Sequence, residues 1–247
     1  MNFARKIEKV VSPELLQSAW EHLCRWTHPV NTRQILATID QAKLATLAER
    51  YPPRAGARKI NSYEDARYWV GVNVRRVQDL WLDRAAPLRI LDLGSGAGYF
   101  LYICRLFGHE GLGLDTDENL LFRATTELFD VRRVIARIEP QTPLPEIGEK
   151  FDLVTGHRVC FHRLERARNG EWQEWTPADW RFFIRDVRTR FLNPNGRLFL
   201  EFNPRRDGSS FFTPALRACF EEEGARIFRS KALFATDSNQ RPRFKDR

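Results

Sequence analysis

The sequence predicts an α/β protein: a helical first third, then a mostly parallel β-sheet with crossover helices. Three observations carry this. Through residue 85, apolar residues recur at helical spacing between capping signals and prolines. From residue 88, short β-branched or apolar runs alternate with helical patterns, as in a sheet whose strands are joined by helices. The segment RILDLGSGAGYF, residues 89–100, joins an apolar run to a helical one through a turn with glycines at 94, 96 and 98.

The helical part divides as follows. Ser12 and Pro13 read as an N-cap and first helical residue, before Leu15, Leu16, Ala19, Trp20 and Leu23 at helical spacing. A second helix carries Ile35, Ile39, Leu44 and Leu47 and stops at Tyr51-Pro52-Pro53, because proline cannot continue it. A third opens with Ser62 and Asp65 in capping-box spacing and buries the stripe Ala66, Val70, Val74, Val77 and Trp81.

The sheet is expected to have about seven strands. The first four lie at 88–93, 112–115, 131–138 and 151–155, with helices at 99–107 and 118–129. A long polar and aromatic connection, HRVCFHRLERARNGEWQEW, follows. Thr176-Pro177 then starts a helix with the stripe Trp180, Phe183, Ile184, Val187 and Phe191, and Asn193-Pro194-Asn195-Gly196 turns the chain into a strand at 197–202. A short helix from Thr213-Pro214 ends at Gly224, and ARIFRSKALFAT reads as two closing strands.

The 247 residues suffice for one substantial core and a smaller appended unit. No apolar run approaches the ~18 residues of a membrane span, and the charged N-terminus MNFARKIEKVVSPELL lacks a signal-peptide core, so a soluble cytoplasmic protein is expected. The scattered Cys24, Cys104, Cys160 and Cys219 form no CxxC pair and read as reduced, buried thiols, and no metal site is expected. The net charge of +8 sits mostly outside the centre: residues 1–85 hold 14 basic and 9 acidic side chains, residues 86–231 hold 22 and 21. A solvated helical surface and a mobile basic tail at 237–247 account for that excess.

A glycine turn between strand and helix lets a ligand approach the backbone and aims the helix N–H groups at an anion. Dinucleotides and S-adenosylmethionine both use such a cradle. The dinucleotide pattern G-x-G-x-x-G requires a small residue at position 99, where this chain has Tyr99, which disfavours a nicotinamide-dependent reductase. Asp92 with Gly94, Gly96 and Gly98, followed by GLGLDTD at the next strand end, instead resembles the class I S-adenosylmethionine-dependent methyltransferases. PLPEIGEKFDLVTG and FLNPNGRLFLEFN are similar to that family's fourth- and fifth-strand segments.

The resemblance implies a Rossmann-like doubly wound sheet in the order 3-2-1-4-5-7-6 with a reversed C-terminal hairpin. It places the cofactor-binding domain at 86–236 behind a helical extension at 1–85. It implies S-adenosyl-L-methionine as cofactor, with Gly94, Ser95, Gly96 and Gly98 lining its methionine part beside Tyr99. Asp92 would meet the amino group, Asp115 with Thr116 the ribose, and Arg137 and Ile138 the adenine.

The fourth-strand exit, Thr155 to His162, lacks the Asn-Pro-Pro-Tyr type motif of base-methylating enzymes and any obvious acidic metal ligand. His157 and His162 are the candidate general bases, because imidazole titrates near neutral pH; each reads equally as a structural histidine. Asn203 is a candidate substrate contact, Trp172, Trp175 and Trp180 are candidate acceptor-pocket walls, and Tyr63, Arg67, Tyr68 and Trp69 are candidates to cover the cofactor. The leading expectation is methyl transfer to an oxygen or nitrogen of a small molecule. The alternatives are an RNA methyltransferase gripping phosphates through Arg54, Arg58 and Lys59, or a non-catalytic relative that keeps the cofactor.

Overall fold

In the computed structural model, residues 23, 25–52, 65–166, 172–205 and 208–235 are described, without the side chains of 162–166 and 172. The part of the expected first helix before Leu23, together with Arg54, Arg58, Lys59, Ser62, Tyr63, the tail and the side chains of His162 and Trp172, lies outside the described residues; Leu23 itself is helical and exposed.

Seven strands form one sheet: β1 (Arg89–Leu93), β2 (Glu110–Asp115), β3 (Arg133–Ile135), β4 (Phe151–His157), β7 (Leu192–Glu201), β8 (Ala225–Phe228) and β9 (Lys231–Ala235). Their spatial order is β3-β2-β1-β4-β7-β9-β8, and β5 (His162–Arg166) pairs with β6 (Trp172–Glu174) in a separate two-stranded ribbon. Strands β1 to β4 and β7 run parallel, while β9 is antiparallel to both β7 and β8. Counted along the main sheet alone, this is the order 3-2-1-4-5-7-6 with the reversed hairpin. The fold is a Rossmann-like doubly wound α/β sheet.

Among the described residues, the helices with both ends in view are α1 (Thr32–Ala37), α2 (Gln41–Arg50), α3 (Ala66–Asp79), α4 (Tyr99–Leu106), α5 (Leu120–Leu128), α6 (Pro177–Asp186) and α7 (Pro214–Glu222). They clothe both sheet faces, so the central strands are buried on each side and read as unbroken apolar runs. On one face Ile90, Leu153 and Phe199 pack with Ile35, Leu44, Val70, Val74 and Val77 from α1 to α3 and with Ile103 of α4. On the other, Leu91, Leu93, Val154 and Leu198 pack with Trp180, Phe183, Leu216 and Phe220. The described helices before residue 85 therefore share a core with the sheet.

Several elements differ from expectation. The helix expected through 31–50 is two, because the Asp40 side chain accepts from Lys43 N at 2.9 Å and starts α2 afresh. Asp65 is the N-cap of α3 itself, accepting from Tyr68 N at 3.0 Å, rather than the far member of a capping box. Strand β3 holds only Arg133–Ile135 of the expected 131–138. Strand β7 begins at Leu192 and absorbs the expected Asn193–Gly196 turn as a register shift against Phe151 and Leu153 of β4. Gly196 is required there, since a Cβ would lie 2.9 Å from the Phe151 carbonyl oxygen. The long connection contains the β5–β6 ribbon, and α6 runs on into a π-helical turn at Val187–Phe191.

Candidate cofactor cradle and acceptor edge

The turn after β1 holds Gly94, Gly96 and Gly98 at φ of 65°, 54° and 80°, a region costly for residues with a Cβ. The three glycines serve different purposes. A Cβ on Gly94 would lie 2.6 Å from Val159 Cγ2, so Gly94 makes room for the loop after β4. A Cβ on Gly98 would lie 2.9 Å from Thr126 Cγ2, so Gly98 lets α4 approach α5. At Gly96 the nearest neighbour is the Phe122 ring edge at 3.8 Å. Gly96 is thus where a ligand has room to meet the turn, whereas Gly94 and Gly98 are occupied with packing.

The turn consumes much of its own hydrogen bonding. Gly94 N donates to Leu114 O at 2.7 Å and Gly98 N to Ser95 O at 3.0 Å. Gly96 N donates to Asp115 Oδ2 at 2.6 Å, while Asp115 Oδ1 accepts from Thr116 N at 2.7 Å. Asp115 therefore staples the turn to the end of β2. Burial raises its pKa, against the lowering effect of those two backbone donors. Helix α4 starts at Gly98 with no side-chain cap, which leaves its N-terminal dipole as the anion-facing feature of the cradle.

Asp92 lies beneath this turn, 3% exposed, accepting from Thr155 Oγ1 at 2.7 Å. It makes no ion pair among the described residues, and burial pushes its pKa up to about 7, against the Thr155 hydrogen bond and the charge of Arg76. A buried carboxyl poised this way suits a cationic ligand group.

Other expected contacts fall elsewhere. The Ser95 side chain turns down onto β2, where Gly113 has no Cβ to obstruct it, rather than lining the cradle's outer face. Tyr99 is 3% exposed, its ring stacked with Trp69 and edge-on to Phe129, so the ring belongs to the helical core while its backbone opens α4. Thr116 is half-buried, and its carbonyl accepts from Arg133 Nη2 at 3.0 Å. Arg137 is exposed and paired with Glu118, while Ile138 is half-buried against the sheet core. Trp175 and Trp180 are 3% and 1% exposed, in an aromatic core with Phe161 and Phe183; they are packing residues rather than pocket walls. Trp69 is half-buried, Arg67 and Tyr68 are exposed, and exposed Asn203 donates from Nδ2 to the Arg158 carbonyl at 3.4 Å.

His157 ends β4, one residue past the Leu93–Gly156 pair and therefore level with Gly94. Its side chain is 4% exposed, edge-on to Phe100 of α4 and tilted against Phe199. Nδ1 lies 3.4 Å from Glu201 Oε2, and Nε2 is buried without a partner among the described residues. Burial, outweighing Glu201, pulls the pKa down to about 4. His157 is therefore a buried imidazole, neutral at pH 7. Glu201 is held in turn by Arg76 Nε at 3.3 Å and Arg158 Nε at 3.4 Å. Burial would raise the Glu201 pKa, but His157 and these cations hold it at about 2.

Sequence reasoning missed Glu201 and Arg76. The signal for Glu201 was a charge closing the apolar run RLFLEF; that for Arg76 was a cation beside the buried stripe of VNVRRV. A cavity of about 600 Å³ lies apart from all these residues, between α1, the Asp83–Arg84 turn and the end of α4.

The sequence matches no protein-family profile and no curated protein. Among solved structures, a TehB-like SAM-dependent methyltransferase from Corynebacterium glutamicum is 18% identical over 79% of this chain and 97% of that one, with a TM-score of 0.43. CalS10, an amino pentose methyltransferase from Micromonospora echinaspora solved with SAM bound, is 23% identical over 56% of this chain and 52% of that one, at a TM-score of 0.39. A SAM-dependent methyltransferase from Mesorhizobium loti is 25% identical over 48% of each chain, at 0.34. The chain is similar to these proteins over part of its length. Topology, not overlap with them, fixes the fold.

Proposed function

We propose that the chain is a class I S-adenosylmethionine-dependent methyltransferase acting on an oxygen or nitrogen of a small-molecule acceptor. The observation that carries this reading is the turn itself: a Cβ on Gly96 would meet nothing nearer than the Phe122 ring at 3.8 Å, Asp115 ties the turn to β2, and an uncapped helix begins behind it. The residues fit the cofactor's groups. The start of α4 suits a carboxylate, buried Asp92 suits an ammonium, and Asp115, an acceptor without donors, suits a vicinal diol. The cofactor, when bound, supplies an electrophilic methyl group on a sulfonium.

The chain's contribution is largely positioning, which is worth ~7–11 kcal/mol when alignment is good. A general base adds ~10² to 10⁴ in rate. His157 is proposed as that base: its buried Nε2 accepts the acceptor's proton at the edge where β4 meets the cradle. His162, on β5 just beyond, is the second candidate by position along the chain.

Titration calorimetry tests the reading. S-adenosylmethionine and its demethylated product should bind saturably at one site, and Asp115→Ala should weaken both at least tenfold. Absence of saturable binding overturns the proposal. Incubation with tritiated cofactor and fractionated cell extract then identifies the acceptor: label in the small-molecule fraction supports the substrate class, and label in RNA or protein replaces it.

A further inference from the structure

The proposed base sits in a buried polar cluster whose other members have no role in the reading above. His157 and Glu201 are cross-strand register partners on β4 and β7, so their side chains leave the same face of the sheet. Arg76 comes from α3, across that face; its Nε reaches Glu201 Oε2 and its Nη1 donates to Asn73 Oδ1 at 3.0 Å. Glu201 Oε2 thus lies between a guanidinium and an imidazole. An ionised carboxylate can only accept, so His157 Nδ1 must carry the proton and donate. Nε2 then holds the lone pair. In the structure that atom is buried and has no partner among the described residues, an arrangement that favours a donor arriving from a ligand.

We propose that Arg76 and Glu201 are positioning residues: Arg76 fixes the Glu201 carboxylate, Glu201 fixes His157 as its Nδ1–H tautomer, and Nε2 is thereby presented to the O–H or N–H of the methyl acceptor. This rests on the methyltransferase reading for the identity of the donor on Nε2, but not for the tautomer. The acceptor's proton moves onto the Nε2 lone pair, and the imidazolium so formed is stabilised by Glu201. The logic is that of any carboxylate-oriented imidazole.

The charged groups around the ring predict opposed effects. Glu201 raises the basicity of His157, whereas Arg76 from α3 and Lys231 from β9 lower it. Lys231 is itself paired with Asp79 at 2.8 Å, Arg158 shares the carboxylate of Glu201, and Asp92 on β1 acts on Arg76. Neutralising Glu201 and neutralising Arg76 should therefore move the titration of His157 in opposite directions. General loosening of the core would move both upward, toward the value of an exposed histidine.

The test is imidazole ¹⁵N NMR of the cofactor-free protein, with His157 assigned by its loss in His157→Gln. At pH 7 the wild-type ring is expected as the Nδ1–H tautomer, titrating near pH 4. Glu201→Gln should lower that midpoint and Arg76→Met should raise it. In the active enzyme the acid limb of kcat/KM should follow the same two shifts, with kcat down on the order of tenfold or more in Glu201→Gln. A proton on Nε2 in the wild type, or shifts of one sign in both variants, overturns the relay. If Arg76→Met does not fold, Arg76→Gln replaces it, and the wild-type tautomer alone still decides. Calorimetry separates the failures: cofactor binding with the wrong tautomer sinks the relay only, and the right tautomer without cofactor binding sinks the methyltransferase reading only.

Discussion

The three glycines of the cradle separate packing from binding. Gly98→Ala places a Cβ at positive φ and against Thr126, and is expected to destabilise by ~1–3 kcal/mol, measured as a fall in the denaturant midpoint. Gly96→Ala carries the backbone strain without the clash, so it should cost about 1 kcal/mol of stability yet weaken cofactor binding tenfold or more in calorimetry. Asp92 offers a second contrast. Its carboxyl titrates at about 7 in the folded chain against an ordinary 3.8, so its charge opposes folding, an effect fully developed above pH 7. Asp92→Asn should raise the melting temperature of the cofactor-free protein at pH 8, by on the order of 1–3 kcal/mol of stability, while abolishing cofactor binding. At this scale the sequence revealed which backbone positions are special but not what each faces. Gly94, Ser95, Gly98 and Tyr99 stand in one motif, yet their surroundings come from Val159, Gly113, Thr126 and Trp69, residues distant in the chain. Glu201 and Arg76 were hidden for the same reason, 125 positions apart and joined only by the fold.

Among the elements, those with strong local signals were the legible ones. Thr176-Pro177 starts α6 as expected, and Asp179 completes a capping box by accepting from Thr176 N at 2.8 Å. Thr176→Ala should cost ~0.5–2 kcal/mol in thermal unfolding, because Asp179 is buried and would lose a donor. Trp180→Ala, in the core of the same helix, should cost ~3–5 kcal/mol through a cavity that rigid aromatic neighbours cannot fill. Boundaries were less legible. Asp40 breaks the expected second helix because a side-chain acceptor outcompetes continuation, a contest the apolar spacing does not record. Strand β7 runs longer than its apolar run because register with β4, not composition, sets where pairing begins. The β5–β6 ribbon lies in a stretch whose polar and aromatic residues carry no clean period.

For the whole molecule, the class of fold was legible because buried parallel strands and amphipathic helices alternate, while the strand order came only through resemblance. Periodicity says what a strand is, not what it sits beside. The buried histidine has a global signature. His157 titrates near 4 when folded and near 6.5 when unfolded, so the unfolded chain binds more protons between those values. The stability from keeping it neutral is complete above pH 6.5 and is lost as pH falls toward 4. Glu201, held at about 2 against an ordinary 4.5, extends the loss below that. Denaturant midpoints at pH 7 and 4.5 should show His157→Phe losing less than the wild type.

The reversed hairpin also dictates a schedule. Strand β9, which closes the flank of β7, is the last strand of the described chain, so a nascent polypeptide leaving the ribosome carries β7 with one edge bare until Lys231–Ala235 has emerged. During that interval the row of amides along Arg197–Glu201 is a template for any passing extended segment. A translation product stopped after Gly224 should accordingly be captured by chaperones or precipitate, although every residue of the cradle has already been made.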